Sequence, residues 1–274
     1  MPVSYTVVIP VLDQLHYTRQ CVESLTAHGV PTASLLVIDN GSRDETPAWL
    51  ASRADIRSVR NRVNLGCGGA WTQGALLAEG EWVVLLNNDI VCGHDAIGAQ
   101  VDAAIRLGLE VVSPALVEED LDYDLDAFAA DFTAKMRGTV RRGWFHGVCF
   151  AVRRDVFERI GFPDTDRLLF GREDAEFRAR CARAGIPVGT VGDAVLHHFG
   201  SITQKAMKQE QGLREADAFG DHRYLYAKLG LSWWGRQRAK LARKSQHAAW
   251  MQAERAAHGY TLHMVHRDGR VEYR

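Results

Sequence analysis

Residues 83–90 read Val-Val-Leu-Leu-Asn-Asn-Asp-Ile, so four apolar residues stop at two amides and one carboxylate. A short apolar run bounded by polar residues is typical of a strand that is buried on both faces of a parallel sheet. In open α/β sheets, ligands bind just outside the carboxyl ends of the strands. The run therefore predicts a buried central strand that delivers Asp89 to a ligand-binding edge.

The composition excludes several classes of protein. The chain has 274 residues, 46% of them hydrophobic, and 33 basic against 34 acidic residues give a net charge of −1. It can therefore bury a core, and its charge gives no reason to expect nucleic acid as a partner. The five cysteines form no CxxC pair, and no apolar stretch approaches the ~20 residues that span a bilayer. We see no signal peptide, so we expect a cytoplasmic protein with reduced cysteines.

Strand-like and helix-like patterns alternate in the first half of the chain. Short apolar or β-branched runs predict strands at residues 5–10, 35–38, 56–59, 82–86 and 111–112, the first ended by Pro10. Apolar residues at helical spacing predict helices at residues 17–27, 44–53, 70–78 and 97–105, with Asp44 as the cap of the second. The alternation predicts an α/β fold with a doubly wound, mostly parallel sheet.

The pattern changes after Pro114. Seven acids within residues 118–131 predict a surface loop that leads into an amphipathic helix. Further elements are expected as a strand at 144–152, helices at 156–160 and 173–184, and strands at 188–191 and 194–196. The last residues have the form of a hairpin with Asp268 and Gly269 in its turn.

Polar residues follow three of the predicted strands, at what should be one edge of the sheet. Asp39 and Asn40 follow the second strand, Asn64 follows the third, and residues 87–89 follow the fourth. Any one of them could simply begin a turn, but together with glycines 66, 68 and 69 they favour a ligand-binding edge. A carboxylate such as Asp89 beside a diphosphate needs a hard cation between the charges, typically Mg²⁺. No GxxxxGK[ST] motif is present, which excludes a P-loop.

Two tandem pairs are further candidates. His197 and His198 follow a strand-like run, and because neighbours in a strand point to opposite faces, at most one should face the site. Glu173 and Asp174 open a predicted helix, where acids are also expected for the helix dipole alone. Asp174 stands four residues before Arg178, so an ordinary surface ion pair is an open alternative to a catalytic role.

With these segments in order, the chain resembles the family 2 glycosyltransferases of the GT-A fold, close to the rhamnosyltransferase-like, O-antigen and cell-wall branch. The similar segments are residues 8–11, 37–46, 64–69, 85–89, 147–161, 170–176 and 198–203. The resemblance implies a GT-A domain over residues 1–205, with a nucleotide-sugar half (1–114) and an acceptor half (115–205). A C-terminal extension of helices and a hairpin (206–274) would follow.

The resemblance also implies roles for individual residues. The nucleotide would be bound by Pro10, Val11, Asp13, Asp39, Asn64, Gly66 and Asn88, with Asp39 on the pyrimidine ring and Asn88 near the ribose. Asp89 and His198 would hold Mg²⁺ or Mn²⁺, and Asp174 would be the general base. The donor and acceptor sugars would meet Trp144, His146, Gly147 and Glu173.

The implied activity is an inverting, metal-dependent transfer of one sugar from a UDP- or dTDP-sugar to a hydroxyl of a glycan or lipid-linked acceptor, in surface polysaccharide synthesis. The QxxRW motif of processive members is absent, which implies a single addition. The DxD position of the family is Asn-Asn-Asp here, and Trp71 stands where relatives often carry a smaller residue. A sugar-1-phosphate nucleotidyltransferase and a non-catalytic sugar-nucleotide-binding protein stay open as alternatives, although no glycine follows the first strand as nucleotidyltransferases usually require.

Two peripheral segments have two interpretations each, and the C-terminal hairpin bears on the oligomeric state. Residues 223–244 carry seven bases, with Trp233 and Trp234 among them, which suits an anionic membrane surface at the inner face of the membrane, or a lipid-diphosphate acceptor. A solvated basic helix packed on the domain explains the same pattern. The acidic segment 118–131 is either an acceptor-side lid or a solvated loop. The C-terminal hairpin could pair between subunits and so form a homodimer.

Overall fold

The structure, a computed structural model, describes residues 3–166, 169–210 and 222–274. Its strands are β1 (Tyr5–Val11), β2 (Leu35–Asp39), β3 (Arg57–Arg60), β4 (Trp82–Leu86), β5 (Ile90–Cys92), β6 (Val111–Glu119), β7 (Val140–Arg142), β8 (Cys149–Arg153), β9 (Val188–His198), β10 (His263–Arg267) and β11 (Arg270–Tyr273). Its helices are α1 (Leu15–Ala27), α2 (Thr46–Ala51), α3 (Gly66–Leu77), α4 (Ala96–Leu107), α5 (Leu125–Met136), α6 (Arg154–Ile160), α7 (Glu173–Arg183), α8 (Ile202–Glu210), α9 (His222–Lys228) and α10 (Trp233–His258).

These strands form one mixed sheet, which confirms the predicted α/β class. The order along its main path is β11-β10-β6-β8-β4-β1-β2-β3. Strands β3, β2, β1 and β4 run parallel, as the alternating pattern predicts, whereas β8 is antiparallel to both β4 and β6. Strand β9 is parallel to β6 and pairs antiparallel with the short strands β5 and β7. The four parallel strands therefore have their carboxyl ends at one edge of the sheet, where the polar residues that follow them lie.

Strand β4 is the buried central strand that residues 83–90 predict. Val83 and Leu85 pack into the apolar layer on one face of the sheet, and Trp82, Val84 and Leu86 into the layer on the other. All five are almost fully buried. Full burial of one such side chain stabilises the fold by roughly 2 kcal/mol, so the strand holds the residues that follow it rigidly.

Two prolines do not end their strands. β1 continues through Pro10 to Val11, where it pairs with β2 alone because its pairing with β4 stops at Val8. Proline, which has no amide hydrogen, is tolerated there because none of the described strands is paired with it on the β4 side. β6 continues through Pro114, where its register with β9 shifts at an irregularity that tolerates proline. The expectation of a short strand at residues 111–112 is therefore wrong, since β6 extends to Glu119.

Several loop and helix boundaries also differ from the expectation. α3 begins at Gly66, so the glycine-rich segment is the first turn of a helix and not a separate loop. α2 begins at Thr46, and Asp44 accepts a hydrogen bond from Thr46 N (2.9 Å) while its other oxygen accepts one from Leu15 N (3.0 Å). The acidic loop is shorter than predicted, because Glu118 and Glu119 belong to β6 and Asp124 is the N-cap of α5.

The region around β8 and β9 was predicted only in part. β8 begins at Cys149, and residues 144–148 turn beside α7 instead of extending the strand. β9 is one strand where two were predicted, and its irregular centre contains Gly192, where an added Cβ would lie 2.3 Å from Met136 O. A close approach of this kind depends on the tertiary fold, so the sequence pattern does not reveal it.

The C-terminal hairpin forms as predicted, and it joins the sheet of its own chain. β10 and β11 pair antiparallel, and β10 lies parallel to β6. The second half of α10 packs on the same region, where Glu254 forms an ion pair with Arg141 of β7 (2.7 Å). The domain limits 1–205 and 206–274 remain a prediction, and residues 211–221 of the second lie outside the described residues. Within the described ranges, no helix is both long and apolar enough to span a bilayer.

Candidate active site

The ends of β1, β2 and β4 meet at a small cavity of about 80 Å³, which we call the strand-end cavity. On the sheet side it is lined by Pro10, Val11, Leu12, Asn40, Asn87, Asn88 and Asp89. Opposite them it is lined by Asn64, Cys67, Phe170, Ser201, Thr203, Gln204 and Met207. Three strand ends thus converge on one site, and α8 covers it. The ends of β2 and β4 were predicted to meet there, whereas the end of β1 takes the place expected for the end of the third strand.

A larger space of about 980 Å³, which we call the adjoining cleft, continues from the strand-end cavity. The two share Leu12, Asn40, Asn64 and Met207 as lining residues. Asp13 and Arg62 belong to the adjoining cleft alone. Binding sites for small molecules and cofactors usually measure about 300 to 1,000 Å³, so this cleft has room for a nucleotide whereas the strand-end cavity alone does not.

Asp89 is buried at the end of the strand-end cavity, and both of its carboxylate oxygens have partners. Oδ1 lies 3.3 Å from His198 Nε2, and Oδ2 accepts a hydrogen bond from Ile202 N (2.9 Å). Burial disfavours the charged form, but His198 and the backbone donors outweigh it and hold the pKa of Asp89 below its ordinary value. Asp89 is therefore a carboxylate that links β4 to the start of α8.

The tandem histidines separate as their strand geometry requires. His198 faces Asp89 through Nε2 and Glu118 through Nδ1 (3.4 Å). Burial disfavours its imidazolium form, but these two carboxylates raise the pKa of His198 to about 9. His197 points to the other face, where its ring nitrogens contact Tyr123 Oη (3.0 Å) and Glu119 O (3.2 Å), and burial lowers its pKa to about 4.

Asp89 and His198, the metal ligands that the resemblance implies, lie together at this edge. The described residues contain no group of three or more histidine, cysteine or acidic side chains that could enclose a cation. However, Mg²⁺ is usually held by only one or two carboxylates together with water and the phosphates of a substrate. Asp89 Oδ1 and, once the imidazolium of His198 has given up a proton, His198 Nε2 fit a cation that is shared with a diphosphate. They do not fit a metal held by protein alone.

The first turn of α3 brings the start of α7 close to the strand-end cavity. An added Cβ on Gly68 would lie 2.0 Å from Asp164 O and 3.0 Å from Glu173 Cγ, so only glycine fits there. Beside it, burial and the charges of Glu173, Asp89 and Asp174 raise the pKa of Cys67 well above its usual value. Cys67 thus lies between the end of β4 and the start of α7, a position that no pattern in the sequence indicates.

Asp174 is the more accessible carboxylate at the start of α7, with 28% of its side chain exposed. Gly147 makes room for it, since an added Cβ there would lie 2.6 Å from Asp174 Cγ. Arg178 Nη1 lies 3.5 Å from Asp174 Oδ2, the pair that the sequence spacing predicts. Asp174 does not line the strand-end cavity.

Glu173 is buried against Gly68, and its environment differs sharply from that of Asp174. Burial, with a smaller contribution from the charge of Asp174, raises the pKa of Glu173 to about 7. An acid with a raised pKa binds its proton more tightly in the folded protein, so folding stability falls as the pH rises from about 4.5 to about 7.

We therefore expect Glu173→Gln to stabilise the protein increasingly with pH. The free energy of unfolding of the variant relative to the parent should rise by about 2 to 3 kcal/mol between pH 5 and pH 8. Urea unfolding at the two pH values measures it. Asp155→Asn, in the exposed first turn of α6, is the control and should show no such rise. A Glu173→Gln difference that is equal at both pH values would contradict the raised pKa.

Three other polar residues that were expected at the nucleotide have hydrogen-bond partners within the protein. Asp39 is fully buried and accepts hydrogen bonds from Gly41 N (3.1 Å) and Ser42 N (2.8 Å), so its neighbour Asn40 lines the cavity instead. Asp13 Oδ1 accepts a bond from Arg43 N (2.6 Å), and Asn88 Nδ2 donates to Thr18 Oγ1 (3.0 Å).

The residues expected at the sugars lie beside α7 and outside the strand-end cavity. Trp144 packs under Arg178, whose guanidinium carbon is 3.8 Å from the ring centroid. His146 is buried against His263, with ring centroids 4.9 Å apart. Phe170 and the α8 side chains that line the cavity were not predicted, because no local pattern in the sequence shows that α8 returns over the strand ends.

Curated relatives of this chain include glycosyltransferases. An uncharacterised glycosyltransferase of Rickettsia prowazekii is 23% identical over 173 residues, which cover 58% of this chain and 53% of that protein. The succinoglycan biosynthesis protein ExoO of Rhizobium meliloti is 28% identical over 119 residues, or 43% of this chain and 34% of that protein. The chain thus spans about half the length of the first relative and about a third of the second.

Solved structures share the fold. A mannosyltransferase of Pyrobaculum calidifontis in complex with GDP-Man and Mn²⁺ has a TM-score of 0.57 at 20% identity, over 93% of this chain and 78% of that one. TarS of S. aureus in complex with UDP has a TM-score of 0.56 at 13% identity, over 71% and 60%. These neighbours confirm the predicted GT-A fold class. The family model of glycosyl transferase family 2 matches residues 6–161, and the chain therefore belongs to that family.

Proposed function

We propose that this protein is an inverting, metal-dependent, non-processive glycosyltransferase. It moves one sugar from a UDP- or dTDP-sugar to a hydroxyl of a glycan or lipid-linked acceptor in surface polysaccharide synthesis. The observation that carries the proposal is the convergence of three strand ends on one cavity. Asp89, which is paired with His198, lines this cavity, and the lining residue Cys67 lies near the charges of Glu173 and Asp174 at the start of α7. The named role of ExoO in succinoglycan biosynthesis supports the biological setting.

The adjoining cleft is the proposed nucleoside site, and the strand-end cavity the proposed diphosphate site. The volume of the cleft and the shared lining by Asn40 and Asn64 support a ligand that extends through both. Structural neighbours in complex with UDP and with GDP-Man support a sugar nucleotide as the donor. Met207 of α8 lines both spaces, so its side chain would contact a donor that extends through both.

Asp89 and His198 are the proposed ligands of Mg²⁺ or Mn²⁺. A bound cation would offset the negative charge that develops on the departing diphosphate. The Mn²⁺ in the mannosyltransferase complex supports this proposal. Asp89 is suited to the role because its carboxylate stays ionised despite burial, and Ile202 N fixes its orientation.

Asp174 is the proposed general base. An acceptor hydroxyl is a poor nucleophile at neutral pH and needs a positioned base to take its proton. Asp174 is exposed enough to meet an acceptor, and Arg178 Nη1, at 3.5 Å from its Oδ2, holds the carboxylate in place. The oxygen would attack the anomeric carbon on the face opposite the diphosphate, and the configuration would invert.

The proposed metal site is tested by donor binding. We expect Asp89→Ala to lower the Mn²⁺-dependent affinity for UDP or dTDP by at least about tenfold, because the cation loses its carboxylate. Calorimetric titration with and without a chelator measures this. Asp102→Ala, on the exposed face of α4, is the control. If the chelator weakened binding to Asp89→Ala as strongly as binding to the parent, Asp89 would not be a metal ligand.

The transfer reaction has its own test. We expect slow release of nucleoside diphosphate from a UDP- or dTDP-sugar even without an acceptor, because water can replace the hydroxyl. A protein that binds these donors without ever releasing the diphosphate would support the non-catalytic alternative. A requirement for a nucleoside triphosphate and a sugar 1-phosphate would support the nucleotidyltransferase.

A further inference from the structure

A separate cleft of about 370 Å³ lies between α10 and the turn that precedes β8. We call it the cationic cleft, and it is lined by Trp144, Lys240, Arg243, Lys244 and His247. None of these residues lines the strand-end cavity or the adjoining cleft. The cationic cleft is therefore distinct from the proposed donor site.

The cationic cleft lies two side-chain contacts away from the proposed base. Its wall, Trp144, stacks on Arg178 at 3.8 Å, and Arg178 Nη1 lies 3.5 Å from Asp174 Oδ2. On the other side, the ring of His247 packs edge-on against Trp144, with centroids 4.5 Å apart. A molecule whose hydroxyl reached Asp174 would therefore meet the cationic cleft a short distance further out.

The charges of the cationic cleft are not neutralised by the protein. Lys240, Arg243, Lys244 and His247 recur at helical spacing, so they lie on one face of α10. The sequence has no acid from residue 222 to residue 253. The ion pairs of the described residues involve none of the three cations. Burial and, after it, the charges of Arg141 and Arg243 lower the pKa of His247 to about 4, so the positive charge of the cleft comes from the two lysines and Arg243.

We propose that the cationic cleft binds a phosphate or diphosphate group of the sugar acceptor, an inference that rests on the proposed function. The base has to touch the acceptor hydroxyl, so the rest of the acceptor extends outward from Asp174 past Trp144. An arginine fork and two lysine ammonium groups match phosphate oxygens in charge and geometry. A neutral acceptor would leave three cations facing an empty cleft without a partner.

An anionic membrane surface is the competing source of phosphate. Trp233, Trp234 and Leu241 on the exposed side of α10 suit such a surface, but they do not line the cationic cleft. The position of the cations favours the acceptor, because they lie beside Trp144, which is two side-chain contacts from Asp174.

Binding of inorganic diphosphate, measured by calorimetry with a chelator present, tests the site. The test variant carries Lys240→Ala, Arg243→Ala and Lys244→Ala. We expect its affinity for diphosphate to fall at least about tenfold, because each charge-assisted hydrogen bond lost is worth about that factor. The control carries Arg137→Ala, Arg238→Ala and Arg270→Ala, which remove the same charge from exposed positions elsewhere. It should bind as the parent does; equal affinity of the test variant and the parent would overturn the proposal.

Two further measurements identify the source of the phosphate. The parent should prefer an acceptor that carries a phosphate over the same acceptor without it, and the test variant should lose that preference through a higher KM. Flotation with vesicles of phosphatidylcholine and phosphatidylglycerol should be equal for both proteins. If the variant lost flotation but kept the acceptor preference, the cations would serve a membrane surface and the proposal would be wrong. Failure of the parent to release nucleoside diphosphate from any donor would instead overturn the proposed function.

Discussion

Asp174→Asn lowers the turnover of sugar transfer by at least about 10²-fold, because the amide cannot accept the proton of the acceptor hydroxyl. Asparagine has nearly the same shape, so the start of α7 and its contact with Gly147 should be preserved. The base acts only in the transition state, so donor affinity should stay within about twofold of the parent. Release of nucleoside diphosphate in the presence of acceptor measures the rate, and calorimetry measures donor affinity.

Asp155→Asn is the matched control for this experiment. Asp155 also opens a helix and is also paired with arginine, but it lies in α6, away from the strand-end cavity. It should leave turnover unchanged. If Asp174→Asn retained the turnover of the parent, the base would have to be another group, and Glu173, with its pKa near 7, would be the next residue to test.

The parallel half of the fold was readable from the sequence because its signals are local. β4 begins and ends where the apolar run does, since full burial on both faces requires apolar residues at every position. The hairpin of β10 and β11 follows from the Asp268-Gly269 turn, and the separation of His197 from His198 follows from strand alternation. In each case the physical cause lies within a few residues of the element.

The features that the sequence did not reveal depend on residues far apart in the chain. Gly68 is required by Asp164, and Gly147 by Asp174, so both glycines look like ordinary loop residues until the fold brings these partners together. Ile202 N donates to Asp89 across 113 positions, and this contact places α8 over the strand-end cavity. A pattern read in short windows cannot show such contacts.

The candidate site likewise contains residues that were predicted from local signals and residues that were missed. The strand-end residues were predicted because strand ends carry ligands in open α/β sheets. Cys67, Phe170 and the lining residues of α8 were missed because their positions come from packing. The structure also explains how Asn-Asn-Asp can stand at the DxD position. Asn88 donates to Thr18 and so fixes α1 against the end of β4, while Asp89 supplies the negative charge.

Breaking the buried ion pair between Arg141 and Glu254 should have the largest effect on stability. Arg141 is fully buried and donates to both oxygens of Glu254 (2.7 and 2.8 Å) and to Arg274 O (3.0 Å), while Glu254 also accepts from Leu262 N (2.8 Å). Arg141→Met or Glu254→Leu leaves the partner charge buried without its counter-ion. Each single variant should therefore lose about 3 to 5 kcal/mol of the free energy of unfolding.

The double variant with Arg141→Met and Glu254→Leu should recover most of that loss, because it removes both charges and keeps their apolar volume. Urea unfolding of the parent, both single variants and the double variant measures the coupling. Glu79→Leu is the control: its pair with Arg57 is exposed, so it should cost no more than about 1 kcal/mol. If the single losses simply added in the double variant, the pair would not hold α10 to β7. The position of the cationic cleft would then depend on the packing of Trp250 and His247 instead.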